Sequence, residues 1–345
     1  MAEVLPELAP LRQLRKTLAQ LHPDKLQVGR DGYNRCLLSP FRSKTGRNQP
    51  SNSKYIFGQA SWVRHLIKPP PGYGVAYIDF EQQEFGVAAA LSEDPKMMAA
   101  YRSGDSYLAF AKQAGAVPES ATKQSHELTR NLYKTGSLSI QYGISTKSLA
   151  VALGQPLCIA QQLSERHHRL YRQFWRWSAN IIDHAKLKHF IETRLGWRQW
   201  VDCQTNPRSL LNFPMQSNGA EMLRLYICEA TEQGFWIGGP VHDAVLLVAP
   251  LELLQTHTAQ NKVLMQEASG WLLAGFQLRS EAKLFEYPNR FIPDKRGIPM
   301  WNLVNSLLGN STRWTESPTT RLWIPSTRFN SSSKEGFPNQ KMLAS

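Results

Sequence analysis

Two aspartates border apolar segments of the 345-residue sequence, where a charged side chain requires an explanation. Asp79 lies near the end of VAYIDF (75–80), and Asp243 lies inside FWIGGPVHDAVLLVAP (235–250). A carboxylate in such surroundings is costly unless it is paired, solvated or bound to a metal. Two carboxylates suit two Mg²⁺ ions that act on a phosphate substrate. The competing interpretation is two unrelated surface aspartates.

The segments that carry the aspartates have the patterns of strands. Side chains alternate along VAYIDF, so Val75, Tyr77 and Asp79 share one face. In the second segment, apolar runs flank 238–240, which predicts a strand, a tight turn at 238–240 and a second strand. If the strands adjoin in one sheet, the two carboxylates lie close together. One pKa is then raised unless a divalent cation lies between them.

A basic row follows the first strand. In RNLYKTGSLSIQYG the residues Arg130, Lys134, Leu138 and Tyr142 are spaced by four, along one helical face. Two cations one turn apart suit a triphosphate, and Tyr142 suits stacking on a base. Taken alone, the row is more typical of a solvated basic face.

A second row lies in RSLLNFPMQSNGAEMLR. It places Arg208, Asn212 and Gln216 on one helical face, and Pro214 inside the segment predicts a kink. Arg, Asn and Gln are residue types that contact base edges in a minor groove. A polar outer face of a helix is the competing interpretation of this row.

Composition narrows the possible partners. The net charge is +13 and the pI about 9.6, which favours nucleic acid first, anionic membrane second, and a merely soluble basic protein otherwise. No apolar run reaches the roughly 18 residues of a membrane helix, and the N-terminus lacks a signal-peptide core. The cysteines form no CxxC pair, so reduced thiols in a cytoplasmic protein are expected at Cys36, Cys158, Cys203 and Cys228.

The rest of the sequence predicts further elements around these strands. Before the first strand lie a helix at 8–21 and a loop at 39–58. Between the aspartate segments, helices are predicted over 82–146, with breaks near Gly104 and Gly115, then over 158–194, and, after a turn and a loop, at 208–232. The second aspartate segment is followed by a helix at 251–273, a strand at 277–285 and a disordered tail beyond 308.

These blocks together resemble the polymerase region of family A DNA polymerases, the bacterial DNA polymerase I type, in a phage- and mobile-element-like branch. The resemblance covers roughly 31–308. Three blocks are similar to the catalytic motifs of the family: DFEQQE (79–84) is similar to motif A, RNLYKTGSLSIQYG (130–143) to motif B and VHDA (241–244) to motif C. Three more are similar to other family segments: RSLLNFPMQ (208–216) to the helix before motif C, SKTGRNQPS (43–51) to the primer-strand segment and ETRLGWRQW (192–200) to a turn.

The resemblance implies an α+β fold, with an antiparallel palm sheet and helical fingers inserted at about 90–195 within a polymerase region at 31–308. It leaves 1–30 as a residual helical segment in place of most of the thumb, no exonuclease segment, and 309–345 as a disordered tail. The implied function is template-directed DNA synthesis from deoxynucleoside triphosphates on primer-template DNA, with two Mg²⁺ ions and Mn²⁺ as the alternative. A separate chain supplying thumb or exonuclease is a further expected partner, and no membrane is expected.

The resemblance also assigns roles to individual residues. Asp79 and Asp243 would be the catalytic metal ligands, helped by the Phe80 carbonyl. The nucleotide site would contain Arg130, Lys134, Tyr142, Gln82, Leu138 and Glu84, the last as a steric gate against a 2′-hydroxyl. The DNA contacts would come from Arg47, Arg208, Asn212, Gln216 and His242, the last bracing the primer end.

Three positions depart from the family pattern. Ala244 stands where motif C has a glutamate, Leu138 where motif B has an aromatic residue, and Tyr107 is the nearest match to a histidine at the start of the fingers. Reduced rather than abolished chemistry is expected from the Ala244 change. Two other functions stay open, a DNA-binding remnant without activity and a single-subunit RNA polymerase, which Glu84 disfavours because it would crowd a ribose hydroxyl.

Overall fold

The computed structural model describes residues 26–293 and 295–309, together with Leu8, Leu11, Arg12 and Arg15. The helix predicted at 8–21 and the tail predicted at 309–345 therefore lie almost entirely outside the described residues. Within the described ranges, no helix combines the length and the apolar character needed to cross a membrane.

The centre of the molecule is a four-stranded antiparallel sheet in the order β4-β5-β1-β6. The strands in the described residues are β1 (Tyr73–Phe80), β2 (Phe190–Glu192), β3 (Arg198–Trp200), β4 (Trp236–Val241), β5 (Ala244–Pro250) and β6 (Ser280–Glu286). β2 and β3 form a separate two-stranded ribbon. The predicted α+β class with an antiparallel sheet is confirmed.

Helices fill most of the sequence between β1 and β4 and flank the sheet. The α-helices in the described ranges are α1 (Gln83–Ser92), α2 (Pro95–Arg102), α3 (Ser106–Gln113), α4 (Glu127–Gln141), α5 (Thr146–Leu153), α6 (Leu157–Leu170), α7 (Arg172–Lys188), α8 (Pro207–Glu232), α9 (Leu254–Leu272) and α10 (Ile298–Gly309). Short 3-10 helices lie at Ile56–Gly58, Ser61–Leu66, Leu251–Leu253 and Lys295–Gly297.

Both faces of the sheet are packed, and the two sides of β1 meet different cores. Ala76, Ile78 and Phe80 belong to the large core shared with the helices. Val75, in contrast, packs in a smaller cluster that includes Phe291. The predicted alternation therefore holds, and Tyr77 and Asp79 follow Val75 on the side of the smaller cluster.

The position of the hairpin turn was predicted wrongly. Gly238, Gly239 and Pro240 lie inside β4, and the turn is formed by His242 and Asp243. The register shifts between Ile237 and Gly239, and a Cβ on Gly238 would come within 3.1 Å of the Leu246 carbonyl oxygen. The glycines therefore serve a bulge and a close backbone approach, which resemble turn chemistry in the sequence. His242, with φ of 60°, supplies the left-handed residue of the real turn.

The helical prediction over 158–194 ends too late. α7 stops at Lys188, where His189 adopts φ of 60°, and the chain continues as the β2–β3 ribbon. Gly196, with φ of 85°, lies in the ribbon's turn, and the Thr193 amide donates to the Trp197 carbonyl at 3.0 Å. A left-handed residue ends a helix by turning the chain away from its axis, and a histidine gives little warning of it in the sequence.

Candidate active site

The two aspartates meet at one edge of the sheet, as predicted. Asp79 is the second-last residue of β1 and lies opposite Ala244, the first residue of β5. The Phe80 amide donates to the Asp243 carbonyl at 3.4 Å, so the turn residue lies directly beside the end of β1. The strand and the hairpin therefore adjoin, and their carboxylates share one local environment.

This environment disfavours two negative charges. Burial raises the pKa of Asp79 most, and the neighbouring Asp243 and Glu281 raise it further. Burial also raises the pKa of Asp243, and the charge of Glu84 adds to the effect. Arg47 acts in the opposite direction on Asp243. Each carboxylate thus lacks the full compensation that a buried anion needs.

The pair fits the ligand set of a divalent cation. The Asp79 Oδ1 atom is buried and has no hydrogen-bond partner among the described residues, which suits an atom that binds an ion or an equivalent group. Carboxylate and carbonyl oxygens are the donors that Mg²⁺ prefers, and Asp79, Asp243 and the Phe80 carbonyl provide that set. Within the described residues, no three acidic, histidine or cysteine side chains form a ready-made metal cluster.

Glu84 and Tyr142 form the next part of the site. Glu84 lies in the first turn of α1, and Tyr142 follows the last residue of α4. Burial and then the Glu84 charge raise the pKa of Tyr142, whose buried hydroxyl lies beside Glu84 and Gln216. Gln141 fixes the approach of the two helices because its Nε2 donates to the Glu84 carbonyl at 2.9 Å. The predicted gate and the predicted base-stacking residue are thus neighbours.

The cations of α4 lie over one aromatic ring. The Arg130 guanidinium carbon is 5.2 Å from the centroid of Tyr107, and the Lys134 Nζ is 5.9 Å from the same centroid. Tyr107 is only 3% exposed, and its pKa is raised first by burial and then by Glu84. The predicted basic face is therefore formed, and Tyr107 lies against it, within range of the charges of Glu84 and Asp243.

Arg130 is already paired within the protein. Its Nε donates to the Asp105 carboxylate at 2.8 Å, and its side chain is only 12% exposed. Asp105 also caps α3 by accepting from the amides of Tyr107 and Leu108. Lys134, by contrast, is exposed. Of the two predicted phosphate ligands, Lys134 is therefore the more accessible in this arrangement.

Gln82 and Leu138, both predicted for the nucleotide site, also make contacts that hold the fold together. Gln82 has φ of 52°, and its side chain donates to the Gly104 carbonyl and accepts from the Ser106 amide, both at 2.9 Å. These bonds tie the chain just after Asp79 to the start of α3. Leu138 is half-buried one turn before Tyr142, and its carbonyl accepts from the Tyr142 amide at 3.1 Å.

The polar row of α8 runs toward Tyr142. At its start, Arg208 adjoins Gly143, because a Cβ on that glycine would lie 3.5 Å from the Arg208 Cγ. Asn212 carries a buried Oδ1 that accepts no hydrogen bond from residues 26–293 or 295–309. Gln216, at the end, lowers the pKa of Tyr142 as a neighbouring polar group. The helix is continuous through Pro214, and the first and last residues of the row both lie close to the end of α4.

Arg47 and His242 border a cavity of about 640 Å³ between the 38–64 segment, α8 and the β4–β5 turn. The chain before Arg47 is anchored, because Arg224 Nη2 donates to the Gly46 carbonyl at 2.7 Å. In addition, Trp197 Nε1 donates to the Lys44 carbonyl at 3.0 Å. His242 is exposed at the turn. Arg47 and His242, two of the five predicted DNA contacts, therefore line one cavity next to Asp243.

Two residues of the site were not predicted from the sequence. The pattern Asp-Ser-Tyr-Leu signals that Asp105 caps a helix, but it does not signal the ion pair with Arg130 twenty-five positions away. Glu281 lies opposite Asp79 on β6, a contact that depends on strand register. The only signal in the sequence is an acidic residue in the middle of the last predicted strand.

Comparison with solved structures places this architecture among polymerase domains. The POL domain of Pol1 from M. smegmatis, in complex with DNA primer-template and dNTP, matches with a TM-score of 0.66. The match covers 79% of this chain and 51% of that chain, at 20% sequence identity. At this identity the likeness shows the fold alone.

The sequence comparison defines the family. The model for DNA polymerase family A matches residues 52–281, which is more than half of the chain. The chain belongs to DNA polymerase family A, and the family predicted from the sequence is confirmed.

Curated relatives come from phages and from bacteria. The DNA polymerases of Mycobacterium phage L5 and Mycobacterium phage D29 are 27% and 28% identical to this chain over 281 and 282 residues. Each alignment covers 80% of this chain but only 44% and 45% of the phage proteins. DNA polymerase I of Deinococcus radiodurans is 26% identical over 66% of this chain and 23% of its own length. The chain thus spans less than half the length of these relatives.

Proposed function

We propose that the chain catalyses template-directed DNA synthesis, adding deoxynucleotides to a primer 3′-hydroxyl in the cytoplasm. In this reaction the hydroxyl oxygen attacks the α-phosphorus of the nucleotide, a new phosphorus–oxygen bond forms and pyrophosphate leaves. The observation that carries the proposal is the placement of Asp79 beside Asp243, with the orphaned Asp79 oxygen, in a chain of family A.

The acidic edge, defined as Asp79 at the end of β1 and Asp243 in the β4–β5 turn, is the proposed metal site. Asp79, Asp243 and the Phe80 carbonyl would hold the ions. Burial first and acidic neighbours second raise the pKa of each carboxyl, and bound cations would offset both effects. Two Mg²⁺ ions, or Mn²⁺ in their place, would stabilise the charge on the attacking and leaving oxygens.

The nucleotide would lie between α4 and the acidic edge. Lys134 is the exposed cation for the triphosphate, and Arg130 would join it from its place against Tyr107 and Asp105. Tyr142 would border the base, and Glu84 beside it would exclude a 2′-hydroxyl. This neighbouring pair favours deoxynucleotides and disfavours the alternative of an RNA polymerase.

Primer-template DNA would contact the remaining two features. The row Arg208, Asn212 and Gln216 suits minor-groove edges near the nascent pair, and Asn212 has a buried oxygen still without a partner. Arg47 and His242, on the cavity beside Asp243, would hold the primer end. A separate chain would supply further DNA contacts, and primer extension by this chain alone tests whether that chain is required.

The test is single-turnover primer extension by the purified chain and by its Asp79→Asn and Asp243→Asn variants. Each variant should lose at least about 10³-fold in the rate of nucleotide addition. DNA affinity should stay within a few-fold, because phosphate contacts to basic residues dominate it. The control is Asp183→Asn, an exposed aspartate on α7, which should keep the full rate. DNA binding without extension by the unmutated chain would support the inactive remnant instead.

A further inference from the structure

Asp79 has a register partner on each of two flanking strands, because β1 is a central strand of the sheet. On β5 it lies opposite Ala244, and on β6 it lies opposite Glu281. Directly opposed residues of antiparallel strands project to the same face, with Cβ atoms about 4.5–5.5 Å apart. Ala244 and Glu281 therefore flank Asp79 on the face that carries the carboxylate.

Only one of these two flanks carries an acid. Ala244 is fully buried and offers a methyl group. Glu281 is exposed and makes no side-chain hydrogen bond or ion pair with the described residues. Its neighbour along the active-site edge, Glu81, is in contrast paired with Arg279 at 3.0 Å. The Glu281 carboxylate is thus available to a ligand.

The charge of Glu281 also reaches Asp79. The two residues are direct register partners on adjacent strands, so the Glu281 carboxylate lies within side-chain reach of a cation held at Asp79. Such a site gains affinity from each added anionic oxygen.

We propose that Glu281 supplies a third carboxylate to the metal site formed by Asp79 and Asp243, from the strand on the side of Asp79 opposite Ala244. The inference rests on the proposed function, because it assumes that a divalent cation binds at this edge. The three carboxylates do not converge in the described structure, so the exposed Glu281 side chain must rotate toward Asp79 when the cation binds.

The test measures Mn²⁺ binding to the full chain by electron paramagnetic resonance, without nucleotide or DNA. Glu281→Gln keeps the size and removes the charge, and it should raise the apparent Kd for Mn²⁺ about 10-fold. The matched control is Glu286→Gln at the other end of β6, where Glu286 lies opposite Gly74. This control should leave the Kd unchanged.

A second variant tests the geometry. Ala244→Glu places a carboxylate on the other flank of Asp79, and in the Glu281→Gln background it should recover most of the lost Mn²⁺ affinity. An unchanged Kd in both Glu281→Gln and Glu281→Ala would overturn the inference. If Asp79→Asn still abolished Mn²⁺ binding and primer extension, the proposed function would stand without Glu281. If Asp79→Asn bound Mn²⁺ normally, the metal site itself would be wrong.

Discussion

Asp94 and Asp79 are both aspartates at the end of an element, yet their carboxylates meet different partners. Asp94 is 2% exposed and accepts from four backbone amides, two at the start of α2 and two at the start of α7. Asp79, at the end of β1, has a second aspartate next to it and a buried oxygen that finds no hydrogen-bond partner in the part of the chain that the structure describes. The first carboxylate is completed by the protein, and the second is left for something that binds.

The difference separates two kinds of buried charge. A carboxylate that accepts several amide bonds stabilises the fold, because its lost hydration is replaced. A carboxylate without such bonds destabilises the fold until a cation or a proton arrives. Asp94 joins two helices of the region between β1 and β4, whereas Asp79 and Asp243 lie where the proposed chemistry takes place.

The largest effect on this comparison is expected from Asp94→Ala. It removes four hydrogen bonds and leaves two helix starts without a cap, so it should lower the free energy of unfolding by about 3 kcal/mol. Urea denaturation measures the change. Ser145→Ala, which removes a single cap bond to the Ser148 amide at α5, is the control and should cost about 1 kcal/mol or less. Equal losses of unfolding free energy in the two variants would show that Asp94 contributes no more than an ordinary helix cap.

Lys134→Ala addresses the cationic side of the site. The loss of an exposed cation one turn from Arg130 should weaken the apparent affinity for deoxynucleotide by about 30-fold. Pre-steady-state incorporation at varied nucleotide concentration measures it. Lys147→Ala, on the exposed surface of α5, is the charge-matched control. A Lys134 variant that behaved like the Lys147 variant would show that the α4 face is merely solvated.

Glu84→Ala should have a smaller effect, confined to the choice of sugar. With Tyr142 left in place, removal of the carboxylate should reduce the preference for deoxy- over ribonucleotides by about 10-fold. The measurement is the ratio of the two incorporation efficiencies, kcat/KM, for the same template base. A ratio equal to that of the unmutated chain would refute the gate role of Glu84.

The sequence predicts the main features of the site better than its details. Asp79 and Asp243 were found because charged residues at the borders of apolar strands are conspicuous, and the helical rows followed from a spacing of four. The turn was misplaced because Gly238 and Gly239 carry turn chemistry, while the real turn relies on a left-handed His242. Backbone conformation at a single non-glycine residue leaves almost no mark on composition.

Contacts between distant segments were also beyond the sequence. The Asp105–Arg130 pair depends on how α3 packs against α4, and the Glu281–Asp79 pair depends on the register of β6. Register is fixed by the burial of whole strand faces and cannot be derived from one acidic residue. Gln82 shows the reverse case, since a residue assigned to nucleotide binding turns out to be hydrogen-bonded to the start of α3.

The central claim is that Asp79 is held against its own electrostatic preference, and the thermal stability of Asp79→Asn without metal tests it directly. The raised pKa means that folded Asp79 binds a proton more tightly than unfolded Asp79 does, so the unmutated chain loses stability as pH rises above about 4 toward neutrality. Asn carries no charge at any pH. The free energy of unfolding of the variant should therefore match that of the unmutated chain near pH 4 and exceed it by about 1–2 kcal/mol at neutral pH. Added Mn²⁺ should remove this difference. A variant less stable than the unmutated chain at neutral pH, as Asp94→Ala is expected to be, would contradict the account.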